Sequence, residues 1–391
     1  MGSSALRATR YNACPMKTST TTSRLAGLLL IVCLTLLHGS DTFTQTRAPS
    51  SVAATRYADA RAHARQIGSE LLARGIPGLA IAVAVDGRVV FAEGFGHADL
   101  EQRVPAWPAT KFRVGSISKP LTAVALMQLV EQRRIDLDAP VQKYVPSFPD
   151  KGTRITARLL AGHLAGIRHY KNDEFLIAKH YDSIVEGLKI FADDPLVAPP
   201  GTKYSYSTYG FNLLSAVIES ASGETFLDYM QRHVFDALGL VHTIADENRL
   251  LVDQRSRFYS RATGGRLENA PYVDNSYKWA GGGFLSTPED IVRFGSALLH
   301  PGFLTADSLN LLFSSQKTIA GQETGYGIGW AIHKSQSGRR IYEHSGGSVG
   351  GSCQIIVYPE TRVVVALLTN LGEAPWKIAD VESIAEPFAR Q

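Results

Sequence analysis

Strand-like runs at both ends of this 391-residue chain, separated by a long helical and irregular stretch, constrain its fold more than any other feature. Toward the N-terminal end, residues 79–85 and 88–93 are apolar β-like runs split by Asp86-Gly87, a two-residue hairpin signal. Toward the C-terminal end, residues 326–332, 339–343, 354–358 and 362–369 read as strands, with a turn at Pro359-Glu360-Thr361. Residues 56–74 carry helical periodicity and end at Gly75, with Pro77 just beyond. From about 155 to 299 the pattern is helical and irregular, and Thr287-Pro288-Glu289-Asp290 has the composition of a helix start. This order favours one antiparallel sheet built from the N- and C-terminal segments, flanked by helices, with the middle inserted as a mainly helical subdomain. The expected class is α/β (α+β), with a cleft between sheet and insertion to hold a site. No internal repeat is present.

A hydrophobic content of 45% over this length supports one large domain, expected at 56–391 after a leader at 1–40 and a polar linker at 41–55. The leader holds four basic residues (Arg7, Arg10, Lys17, Arg24) and no acid, which leaves 36 basic and 36 acidic residues for the rest. A body of balanced charge, without a basic stripe or interleaved aromatics, offers no footprint for nucleic acid. Residues 25–37 form an uncharged, Leu-rich run after Lys17 and Arg24 and before Gly39-Ser40-Asp41, the layout of a secretory signal peptide. That layout implies a periplasmic or secreted protein; an uncleaved N-terminal membrane tether and a mitochondrial leader are the rival readings. Cys14 and Cys33 fall in the leader, so Cys353 alone remains and no intrachain disulfide is expected.

Chemistry concentrates at Ser116-Ile117-Ser118-Lys119, followed by Pro120 and the apolar run 121–130. A serine and a lysine three apart share a helical face if the helix begins near Ser116, which brings the amine to the hydroxyl. Pro120 has no N–H and is tolerated in a first turn, so Ser116 is expected at a helix N-terminus, where free N–H groups favour an oxyanion. Only two letters are fixed, and an ordinary helix cap explains Ser116 taken alone equally well. Ser314-Ser315-Gln316-Lys317 repeats the pattern but runs into polar residues 318–324, whereas the first copy opens a long amphipathic segment.

Tyr206-Ser207-Thr208 stands in a loop-then-helix context after Pro200-Gly201-Thr202, where a tyrosine can shuttle the proton of Ser116. The alternative is a core tyrosine with its hydroxyl at the surface, the commoner fate of any one of fifteen. Tyr170-Lys171-Asn172 competes for the role but lies among charged residues of a loop. His344-Ser345-Gly346-Gly347 follows one strand-like run and precedes another, so small residues there would let a substrate lie along a strand edge. The Gly347 N–H would then pair with the Ser116 N–H around an oxyanion, and His344 would add a donor whose charge changes near neutral pH. A Gly-rich hairpin turn is the rival reading of that stretch.

Gly346-Gly347-Ser348-Val349-Gly350 also spells a hydrolase elbow, but an elbow needs a helix behind it, and residues 354–358 are strand-like. The eleven histidines form neither His-Glu-x-x-His nor a Cys/His cluster, so no metal is expected, and His163 and His169 are read as structural or surface residues. No Gly-rich phosphate loop is complete, and no cofactor is implied.

Taken in order, Ser116-x-x-Lys119, Tyr206-x-Thr208 and His344-x-Gly346 resemble the three motifs of the serine β-lactamase and penicillin-binding-protein-like hydrolases. The resemblance is to the branch with class C lactamases, D-alanyl-D-alanine carboxypeptidases and esterases, and it covers about residues 56–389. Residues 155–170 and 271–287 look like a mitochondrial lactamase-like serine protease of animals. The resemblance implies a β-lactamase/transpeptidase-like fold and a nucleophile at Ser116. It also implies a general base shared by neutralised Lys119 and Tyr206, an oxyanion hole from the backbone of Ser116 and Gly347, and a substrate wall of His344, Ser345, Gly346 and Thr208. The activity it implies is acyl-enzyme hydrolysis of amide or ester bonds in a small-molecule or peptide substrate, peptidase- or esterase-like. β-Lactamase or penicillin-binding carboxypeptidase is the alternative, and a non-hydrolytic binding or assembly module is the alternative of another class. Two departures weigh against efficient β-lactam turnover: Thr208 stands where the family usually has Asn, and His344 where true lactamases have Lys.

Overall fold

The computed structural model describes residues 57–390, so the expected leader at 1–40 and linker at 41–55 lie outside the described residues. The hairpin expected at Asp86-Gly87 forms: Gly78–Val85 pairs antiparallel with Arg88–Asp99. Gly78–Val85 then pairs on its other side with Val363–Thr369, Ile81 opposite Leu367 and Ala82 opposite Ala366, which joins the two ends of the chain in one sheet. The remaining order runs outward through Gly351–Tyr358, Arg340–Ser348 and Ala331–Lys334, all antiparallel.

The three central strands are buried along their whole length, which is why they read as unbroken apolar runs rather than as alternating ones. On one face Ile81, Val83, Ile356, Val365 and Leu367 join a core with Ala58–Ala73 and Ile378–Ala389, the first helix contributing Ala60, Ala64, Ile67 and Leu71. On the other face Ala80, Ala82, Ile355, Val364 and Ala366 belong to a larger core that continues into the helical layer.

Two elements differ from the sequence reading, and a third is more mixed than its pattern suggests. The helix Ser118–Glu131 is buried nearly all round rather than amphipathic, because Thr208–Ser222 and the turn Trp279–Gly282 pack against it. The stretch 155–299, expected to be helical and irregular, also carries short strands: Phe284–Ser286 pairs with Phe112–Arg113 and with Ile244–Ala245, and its last helix, Pro288–Ala297, packs on the central sheet. That helix does begin as its sequence suggests, Thr287 accepting the Asp290 N–H with Pro288 in the first turn. The strand expected at 326–332 shrinks to Ala331–Lys334, since the backbone of Tyr326 and Gly327 bonds within a loop, to Gln316 and Trp330.

Candidate active site

Ser116 lies on a short 3₁₀ turn, Gly115–Ile117, that runs into the helix Ser118–Glu131. Lys119 follows one turn later on the same side, and its Nζ stands 2.9 Å from Ser116 Oγ. The Gly281 carbonyl at 2.7 Å and Thr208 Oγ1 at 3.2 Å complete its surroundings. The side chain is fully buried, and burial, with the nearby Lys278 charge added, holds the ammonium well below the usual lysine range. As a neutral amine it donates to Gly281 O and Thr208 Oγ1, which leaves its lone pair to accept the Ser116 hydroxyl proton.

Tyr206 closes the group. Its hydroxyl is hydrogen-bonded with Ser116, and its ring lies over Lys119 Nζ at 4.8 Å. Burial pushes the phenol above the usual tyrosine range, with the Ser116 bond opposing. Burial thus moves the two groups apart, the amine toward its neutral form and the phenol away from phenolate, so the amine is the base.

The loop that presents Tyr206 is held by two histidines whose site contacts the sequence did not reveal. The Ser207 N–H donates to His163 Nδ1 at 3.1 Å and the Thr208 N–H to His169 Nδ1 at 3.2 Å, while Ser207 Oγ accepts the Gly210 N–H and donates to the Arg168 carbonyl. The His163 ring packs on Tyr206 at 4.3 Å between centroids. Burial, then Lys119, keeps both imidazoles neutral, His169 falling to about 4. Arg168 anchors the same loop through Glu174 at 2.6 Å and through Asp194, and its side chain is 6% exposed. Arg168→Met leaves Glu174 with only the Lys171 N–H and the Tyr209 hydroxyl and Asp194 with only Lys171, and is expected to lower stability by about 2 kcal/mol, read as a shifted urea midpoint.

His344, Ser345, Gly346 and Gly347 lie within the strand Arg340–Ser348, not in a turn; the turn comes at 349–350. Ala331–Lys334 pairs with this strand only as far as Glu343, so the segment beyond presents an uncovered edge to Ser116. Two glycines let it approach. Gly115 has φ +49° and a Cβ there would fall 2.6 Å from Gly347 O, while a Cβ on Gly346 would fall 2.0 Å from Val114 O. Gly346→Ala must push the strand away from the nucleophile turn, and a loss of about 10²-fold in kcat/KM is expected in steady-state assays.

The expectation for His344 is corrected. Its Nε2 accepts from the Tyr326 hydroxyl at 2.9 Å and its Nδ1–H donates to Ser345 O at 2.6 Å, so both ring nitrogens are occupied. Burial, with Lys119 adding to it, lowers the imidazolium to about 3, and no change of charge falls near neutral pH. His344→Gln is accordingly expected to leave the acid limb of the rate–pH profile in place.

Ser116, Tyr206, Thr208, His344, Ser345 and Gly347 line one cavity of about 350 Å³, together with His169, Tyr170, Phe175 and Lys278. Tyr170 thus belongs to the site, but its hydroxyl bonds to Thr208 and Tyr277 rather than to Ser116. The second Ser-x-x-Lys lies apart, with Lys317 exposed and paired to Glu323 at 2.9 Å.

A hydroxyl bonded to a buried amine, under a phenol and beside a free strand edge, is equipped for acyl transfer. A family model described as Beta-lactamase matches residues 58–383. The chain belongs to the β-lactamase family. The human mitochondrial serine beta-lactamase-like protein LACTB is 35% identical over 380 residues, covering 73% of this chain and 69% of that protein. Penicillin-binding protein 4* of Bacillus subtilis (strain 168) is 28% identical over 75% of this chain and 68% of its own length. Among solved structures, the octameric penicillin-binding protein homologue from Pyrococcus abyssi superposes with a TM-score of 0.71 at 26% identity, covering 82% of this chain and 75% of that one. D-Amino acid amidase from Ochrobactrum anthropi SV3 shares the fold, with a TM-score of 0.73 at 23% identity over 85% and 97%. The family assignment makes the chain a serine hydrolase of the β-lactamase/transpeptidase-like fold.

Proposed function

We propose that this β-lactamase-family hydrolase cleaves amide or ester bonds as a peptidase or esterase, with Ser116 as nucleophile. The observation that carries the reading is the 2.9 Å contact between Ser116 Oγ and a lysine amine whose burial favours the neutral form. Lys119 takes the Ser116 proton directly or through Tyr206 as Oγ attacks the carbonyl carbon. The N–H groups of Ser116 and Gly347 stabilise the oxyanion, and the proton passes to the leaving group as the tetrahedral species collapses. Water, activated by the same amine, then releases the acyl group. Thr208 holds the amine, while Ser345 and Gly346 bound the substrate along the strand edge.

Peptidase or esterase chemistry is put ahead of β-lactam turnover because His344 is neutral and fully engaged, so the strand edge itself carries no cation, and among the described residues the one unpaired lysine of the cavity, Lys278, stands on the opposite segment. A fluorophosphonate probe followed by peptide mapping tests the nucleophile: the adduct is expected on Ser116, and an adduct elsewhere refutes it. A panel of nitrocefin, short-chain esters and D-aminoacyl or peptide anilides tests the substrate class. Turnover of esters or anilides well above nitrocefin is expected; the reverse order identifies a lactamase, and a stoichiometric burst without turnover identifies a non-hydrolytic module. Residues 25–37 favour export, and the LACTB relatives supply the mitochondrial alternative. N-terminal sequencing of protein from fractionated cells separates the two.

A further inference from the structure

The Ser116 cavity contains a second lysine that the acyl-transfer chemistry leaves without a task. Lys278 ends the 3₁₀ turn Ser276–Lys278, and its position is fixed from several sides. Asn212 Nδ2 donates to the Tyr277 carbonyl at 2.6 Å, the Tyr277 hydroxyl donates to the Glu174 carbonyl at 2.7 Å, and Asn275 Nδ2 donates to Asp246 Oδ2 at 2.8 Å. The lysine is 2% exposed and borders the cavity. Its Nζ lies 4.5 Å from the Phe175 ring centroid, 5.2 Å from Tyr277 and 5.6 Å from Tyr170, a three-ring cage.

Such rings steady an ammonium through their faces without neutralising it. Among the described residues, Lys278 Nζ has neither a hydrogen-bond acceptor nor a carboxylate within ion-pair reach. The other buried basic side chains among the described residues are provided for: Arg113 pairs with Asp246 at 2.6 Å, Arg168 with Glu174 and Asp194, Lys111 donates to the Asp253 carbonyl at 2.9 Å, and the Lys119 amine has three polar partners. Asp246, the carboxylate that acts on Lys278 from a distance, is already bonded to Arg113 and Asn275. A buried ammonium facing a cavity with no counter-ion is a site built for an anion brought from outside.

Resting on the reading of Ser116 as nucleophile, we propose that Lys278 determines specificity by binding a carboxylate of the substrate, so that monoanionic acyl or leaving groups are preferred over neutral ones of the same shape. The wall across the cavity offers no competitor, since both nitrogens of His344 are occupied within the protein. Burial and then Arg113, against the pull of Asp246, lower the lysine to about 7. An arriving carboxylate restores the proton and gains a charge-assisted hydrogen bond.

The same chemistry can come from either side of the scissile bond, so two pairs of esters are needed. 4-Nitrophenyl hydrogen adipate against 4-nitrophenyl hexanoate probes the acyl side. 3-Carboxyphenyl hexanoate against 3-carbamoylphenyl hexanoate probes the leaving group. In the wild type the anionic member is expected to have the higher kcat/KM in one pair, and Lys278→Met to lower that ratio roughly 10–100-fold while Lys278→Arg keeps most of it. Taking the ratio cancels any general loss that the substitution causes through Lys119. A purely electrostatic action on Lys119 would move both members of a pair alike, and an unchanged ratio in Lys278→Met overturns the proposal. So does a wild type that prefers the anion in neither pair, whether or not the variants fold. Hydrolysis of the neutral hexanoate that survives in Ser116→Ala would instead overturn the nucleophile.

Discussion

Protein carrying Ser116→Ala is expected to unfold at the wild-type temperature and to lose roughly 10⁴-fold or more of kcat/KM toward its best ester, about 5.5 kcal/mol of barrier. The two halves of this result follow from different parts of the site. Lys119 keeps the Gly281 carbonyl and Thr208 Oγ1 when the hydroxyl is removed, and Ser116 itself is only partly buried, so stability should change by no more than about 1 kcal/mol. The activity has no such reserve. Ser314 and Ser315, in the other Ser-x-x-Lys copy, stand beside an exposed lysine paired to Glu323, and no buried amine is available there to activate a hydroxyl. Matched melting curves with a residual rate within tenfold of wild type would remove Ser116 from the mechanism. A fluorophosphonate label retained in this variant would do the same.

Much of the architecture was legible because the decisive signals are local. Asp86-Gly87 is a hairpin signal by itself, and Gly78–Val85 and Val363–Thr369 are apolar enough to require burial on both faces. The nucleophile and its amine were legible for the same reason, since three residues of helix fix their separation. What escaped depends on distant parts of the chain. Whether 326–332 extends as a strand is decided by Gln316 and Trp330 taking its hydrogen bonds, which no local pattern reports. The state of His344 is decided by Tyr326 and by burial beside Lys119, so a residue that sequence places near its ordinary range is held neutral instead. Lys278 and Tyr170 enter the cavity only because Glu174, Asn212 and Asp246 clamp the segments that carry them.

Replacing Lys119 by methionine is expected to have opposite effects on activity and stability, and the opposition identifies the protonation state of the amine. Methionine has a similar length but no base, so kcat/KM should fall by roughly 10³-fold or more and the remaining rate should lose the wild-type acid limb. In the wild type that limb reports protonation of the pocket amines, Lys119 with Lys278 beside it, because burial lowers His169 to about 4 and His344 to about 3 and Tyr206 stays a phenol into alkaline solution; loss of the limb in the Lys119 variant but not in Lys278→Met assigns it to Lys119. Stability runs the other way. A lysine held below its unfolded value binds fewer protons in the native state than in the unfolded chain, so native stability rises with pH through the window between the two values, ending near 10.4. Near pH 7 the wild type therefore carries a cost of about 1.4 kcal/mol for each unit by which burial lowers the amine, less where the folded value falls under the working pH. The methionine variant carries none of it and fills the same buried volume among Tyr206, Phe211 and Thr208. Its melting temperature should exceed the wild-type value near neutrality by about 2–4 °C per kcal/mol recovered, and the gap should close as the pH approaches 10. A variant less stable than wild type at every pH would mean that Lys119 is buried as a paired ammonium, and the nucleophile would then need a base other than this amine.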